Sequence, residues 1–126
     1  MKLLSFYRLS VFSSILFTVL TFILMFAPVV MLSAWGVELT GSVGLVTRRI
    51  AALYAGIAVM YFFARNAEHS ATRTALIVGT ITACSILALL GVYEFSAGHA
   101  SGGILGSVLI EVVLVLAFLY VGARRR

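Results

Sequence analysis

Glu111 is the only charged residue in the apolar run 102–122. A carboxylate at bilayer depth costs roughly 2.5 kcal/mol or more by insertion scales, so it faces protein or water and takes a partner. The chemistry open to such a group is proton exchange, ion pairing, or, once protonated, a hydrogen bond to a neighbouring helix. Ser107 and Gly103 continue its face toward the start of the run, and Glu111 itself lies roughly 13 Å in at 1.5 Å per residue. This stripe is the most polar on its helix and is expected to face inward.

Arg48 and Arg49 are the natural counter-charges. Arginine suits a buried carboxylate because its planar fork stays charged and makes two-point contact. Glu111 and Glu94 are both within the range of candidates. Three readings stay open for the arginines. They snorkel to lipid phosphate, they form a structural pair with Glu94 or Glu111, or they help build a ligand or ion site. The candidate ligand- or ion-pair residues are therefore Arg48, Arg49, Glu94 and Glu111. No catalytic set and no metal site is expected. His69 and His99 fall on opposite sides of any four-span arrangement, and no His, Cys and carboxylate cluster has ligand spacing. His69 reads as part of a solvated loop and His99 as part of a flexible glycine-rich hairpin. The single cysteine, Cys84, has no C-x-x-C companion and reads as a small apolar filler. No cofactor is expected.

The elements that must position these residues follow from composition. The 126 residues are 63% hydrophobic and 10% charged, against about 45–50% and about 25% in a soluble domain. No room is left for a water-soluble domain beside the apolar runs, so a single transmembrane domain covering 1–126 is expected. A spanning helix needs about 20 mainly apolar residues, and four windows supply them, at about 9–34, 46–64, 74–93 and 102–122. The first run is much longer than the apolar core of a signal peptide, so it reads as a retained helix. Residues 50–64 give roughly 22 Å of helix against about 30 Å of hydrocarbon, so the second span is expected to begin earlier, with both arginines about one turn inside the boundary.

The net charge is +5, with nine basic residues against four acidic ones. They sit mainly at the ends of apolar runs, which orients a chain in a bilayer and argues against nucleic acid as a partner. Lys2, Arg8, Arg65, Arg73 and Arg124–Arg126 share one side of a four-span arrangement, and only Arg48 and Arg49 fall on the other. That side is expected to be cytoplasmic, with both termini on it. Tyr7, Tyr61 and Tyr120 are expected at the inner interfacial belt and Trp35 and Tyr93 at the outer one; Tyr54 lies too deep for either.

Small residues at a spacing of four are expected to mark helix contacts: Ala75, Gly79 and Ala83; Ala52 with Gly56 and Ala51 with Ala55; Gly102 with Gly106 and Gly103 with Ser107. In the first span Ser10, Ser14, Thr18 and Thr21 form a hydroxyl stripe, whose members bond back to their own helix or line a seam. Pro28 removes a backbone donor and is expected to kink the outer end of that span. The fold class expected is all-α: an integral membrane four-helix bundle with antiparallel up-down topology.

Ala27-Pro28 late in the first helix, Trp35-Gly36, Arg48-Arg49 with Gly56 in the second, Arg65 just after it and Glu111 in the fourth follow one another in an order that resembles the small four-helix bacterial membrane proteins of the broad DoxX-like kind. The resemblance implies a four-helix bundle in the bacterial cytoplasmic (inner) membrane. Some members serve as accessory subunits of redox systems, but no redox-active residue pair occurs in this chain. Two function classes are expected. One is a non-enzymatic protein that binds membrane lipid or a small amphiphile, or acts as an accessory to a partner membrane protein or a second copy. The other is a proton- or ion-coupled small-solute carrier, working as an oligomer, with Glu111 as the protonatable site.

Overall fold

The computed structural model describes residues 5–123. Among them the chain is all helical: α1 (Phe6–Phe26), α2 (Pro28–Trp35), α3 (Gly41–Ala64), α4 (Ala71–Ser96) and α5 (Ile104–Ala123). Four of these, α1, α3, α4 and α5, are long and apolar enough to cross a membrane. The charges at Lys2 and Arg124–Arg126 used for orientation lie outside the described residues.

Local chemistry sets the helix ends. Ser5, Thr40 and Ser70 each accept a hydrogen bond from the backbone N–H three residues on, at 3.3, 3.1 and 3.2 Å, satisfying one of the free donors of α1, α3 and α4. Gly36 (φ +79°) and Gly98 (φ +83°) close α2 and α4. In each the next residue's N–H reaches back five positions, Val37 to the Leu32 carbonyl and His99 to the Glu94 carbonyl. Only glycine takes that left-handed turn without strain.

The first apolar run is two helices rather than one. Pro28 has no N–H, and its ring drives the residue before it out of helical backbone. Ala27 accordingly sits at φ −140°, ψ 56°, and Pro28 becomes the first residue of α2. The second span does begin early, at Gly41. Arg48 and Arg49 therefore lie about two turns into α3.

α1 packs along α3, and α4 along α5. Ser14 Oγ donates to the Ala58 carbonyl at 2.9 Å. Thr21 shares its hydroxyl between its own helix, at the Phe17 carbonyl, and the Ala51 carbonyl of α3. Ser14 and Thr21 of the hydroxyl stripe thus line a seam, along which the two helices run in opposite chain sense, while Thr18 is exposed. Ala51 and Ala58, both buried, supply the close approach. Ser10 and Ser13 are fully buried on α1 and make no hydrogen bond among the described residues. In the second pair a Cβ on Gly91 would fall 2.5 Å from Val108 Cγ2, and one on Gly122 3.4 Å from Ile77 Cγ2. Those contacts also run in opposite sense.

The two pairs are joined at their ends more than along their lengths. From the end carrying Arg65 and Arg73 to mid-helix at Cys84 and Leu114, all four long helices contribute to one core: Phe6, Leu9, Tyr61, Ile77, Cys84, Leu114, Phe118 and Val121. Tyr61 is 1% exposed. Its hydroxyl donates to the Leu76 carbonyl at 3.0 Å and is bonded to Thr80, and its ring lies 5.5 Å from that of Phe118. The expectation of Tyr61 at an interfacial belt is corrected here, because its phenol finds partners on α4 and has no need of the headgroup region.

At the other end α2 docks on the start of α5. Trp35 Nε1 donates to Ser107 Oγ at 2.9 Å, Ser101 Oγ to the Ala34 carbonyl at 2.7 Å, and the Ser101 N–H to the Trp35 carbonyl at 2.9 Å. A Cβ on Gly103 would fall 2.0 Å from the Ala34 carbonyl oxygen, so this approach requires glycine.

Candidate functional site

Between the two joined ends lies a cavity of about 630 Å³. All five helices line it: Leu16 to Leu24 of α1, Met31 to Trp35 of α2, Tyr54 to Tyr61 of α3, Ala75 to Leu87 of α4 and Gly103 to Leu114 of α5. Tyr61 and Thr80, bonded to each other, line its lower part, and α2 forms its roof. α3 and α4, although consecutive, make little helix-to-helix contact along its length.

Two glycines help to keep this space open. Gly79 and Gly106 line the cavity, and a Cβ on either would meet nothing within 4 Å. Ala75 and Ala83 flank Gly79 on the same wall. The small residues expected to mark a tight contact on α4 border open volume instead. Gly56 likewise meets nothing within 4 Å. Small size permits close packing; whether it occurs depends on where the neighbouring helix runs, and here α3 and α4 diverge.

Glu111 lines the cavity from α5 and is half-buried. The rest of the wall is apolar apart from a few polar groups: Tyr54, Tyr61, Thr80, Cys84, Ser107 and Trp35. Thr80 is held by Tyr61, and the Trp35 N–H is held by Ser107. Tyr54 stands edge-on to Phe17, with ring centroids 5.4 Å apart. Tyr54 and Cys84 are both within electrostatic reach of Glu111. Among the described residues Glu111 has no ion-pair or hydrogen-bond partner.

The other sequence candidates lie elsewhere. Arg48 and Arg49 are exposed on α3 and do not line the cavity; neither forms an ion pair with Glu94 or Glu111. Glu94 Oε1 instead lies 2.6 Å from His99 Nδ1 at the end of α4. That contact lies in the segment read from sequence as a flexible hairpin, beside the backbone closure at Gly98. His69 borders a second, smaller cavity of about 340 Å³ between α4 and α5, with Arg73 beside it.

The structure therefore retains Glu111 from the candidate set as a cavity residue and adds Tyr54, Trp35, Ser107 and Thr80. Tyr54 carried a signal in the sequence, since it lay too deep for an interfacial belt. Trp35 was legible only as a belt residue, from its place at a span end.

Comparison with known proteins finds no match to the chain among family models, curated proteins or solved structures.

Proposed function

We propose that this chain is a non-enzymatic binding protein of the bacterial cytoplasmic membrane, holding a small amphiphile in the cavity between its two helix pairs. In this reading it is a four-helix up-down bundle with both termini cytoplasmic and α2 toward the outer face. The observation that carries the proposal is the cavity itself: about 630 Å³, mainly apolar, with a few polar groups converging on it. Small-molecule sites have that size and make-up, at about 300–1,000 Å³. The sparse contact between α3 and α4 leaves a side entrance from lipid, the route an amphiphile would take. The exposed Arg48 and Arg49 serve lipid phosphate. A partner membrane protein or second copy would receive the ligand or read its presence.

Filling the cavity tests this. Gly79→Leu and Gly106→Leu place a side chain where nothing stands within 4 Å, and leucine favours helix over glycine by up to about 1 kcal/mol. Both variants should fold at least as well as the parent, judged by thermal melting in detergent. Both should also lose the co-purifying or added amphiphile, measured by native mass spectrometry. Retention of the same ligand by both filled variants would remove the cavity as its site. Glu111 also suits the second reading, a proton-coupled carrier acting as an oligomer. Proton-linked solute flux in liposomes that Glu111→Gln abolishes would decide for the carrier.

A further inference from the structure

The cavity wall carries one carboxylic acid, Glu111, and no basic residue. Arg48 and Arg49 lie outside it, and Glu94 is occupied by His99. Glu111 has no ion-pair or hydrogen-bond partner among the described residues. Charge complementarity therefore selects among amphiphiles. An anionic head would set two like charges a few ångströms apart in a setting that screens their repulsion poorly. An uncharged head gains no ionic attraction here, because an unpaired Glu111 in an apolar setting takes up a proton instead. Divalent metal is disfavoured too, since no group of three or more His, Cys, Asp or Glu comes together among the described residues.

A single positive charge with apolar substituents meets every constraint on the wall. Its centre is compensated by one carboxylate. Its substituents meet the leucines and small residues of α1 and α4, and the rings of Phe17, Trp35 and Tyr54 offer cation–π attraction. Building on the ligand-binding reading above, we propose that the cavity takes a lipophilic monovalent cation, an amine or onium compound, with its charged centre on Glu111.

Trp35 is the only tryptophan of the chain and lines the cavity, so its emission reports occupancy. The test uses the full chain in phosphatidylcholine nanodiscs and two probes of matched shape, tetraphenylphosphonium and uncharged tetraphenylsilane, each counted as mole fraction in the lipid. The parent should bind the phosphonium at least tenfold more tightly than the silane. Glu111→Gln should abolish that preference and leave silane affinity unchanged, which also shows that the cavity is still formed. Glu111→Asp, which keeps the charge, should retain a preference for the cation. Equal affinities in the parent, a preference that survives Glu111→Gln, or an Asp variant indistinguishable from Gln would overturn the cation assignment while leaving the cavity as a site for neutral amphiphiles. If neither probe changes Trp35 emission in the parent, the ligand-binding reading falls with it.

Discussion

Tyr61 shows how one side chain can hold two helix pairs together inside a membrane. Lipid tails are as apolar as leucine, so apolar burial contributes little to helix association there, and hydrogen bonds with close packing must supply the cohesion. The Tyr61 phenol reaches the Leu76 carbonyl and Thr80 on α4, while its ring packs on Phe118 of α5. Tyr61→Phe keeps the ring and removes the hydroxyl. We expect a loss of roughly 0.6–1.5 kcal/mol, the range for one interhelical hydrogen bond in a membrane protein, read as a lower midpoint in detergent denaturation. Because Tyr61 and Thr80 both line the cavity, the variant should also weaken ligand retention. A Phe variant with unchanged midpoint and retention would show that the ring alone holds the pairs together.

At the scale of elements, α2 is the least conventional piece. It has only eight residues, too short to be stable alone in water or to span a bilayer. Its position depends on the docking at Ser101, Gly103 and Ser107. Gly103→Ala forces a methyl group against the Ala34 carbonyl, and such overpacking against backbone costs about 1–3 kcal/mol. The expected outcome is an undocked α2, seen as a shift in Trp35 emission when its indole N–H loses Ser107, with a lower melting temperature. Gly79→Ala, where space is free, should leave Trp35 emission in place and hold or raise the melting temperature, since alanine favours helix over glycine. Equal behaviour of the two alanine variants would mean that α2 is not held by this contact. Sequence reasoning foresaw a kink at Pro28 because the missing donor is local. It could not foresee a separate roof helix, because that depends on residues 101–107, far along the chain.

At the scale of the whole molecule, the spanning segments were legible because run length against bilayer thickness is a strong constraint. That Glu111 faces inward was legible for the same kind of reason, since the alternative is a charge in acyl chains. The arrangement of helices was less legible. Glycine and alanine stripes have the same appearance whether a neighbour touches them, as at Gly91, or stands away, as at Gly79. Orientation rests on loop charge, and it can be checked directly. Cys84 is buried, so a Cys84→Ala background accepts single reporters at Glu38 and Glu68, both exposed. Glu38→Cys should react with a membrane-impermeant maleimide on intact cells, and Glu68→Cys only after permeabilisation. The reverse pattern would invert the proposed topology.

Gly103 and Gly79 are the same amino acid kept under different regimes. Geometry alone freezes the first: descendants of this chain that retain α2 on its seat have no other choice at that site. Nothing in the packing protects the second or Gly106, and random drift would soon install alanine or leucine there. If lineages nonetheless hold glycine at 79 and 106, the restraint comes from outside the polypeptide, and inherited variation at those two sites becomes a record of what the protein has carried.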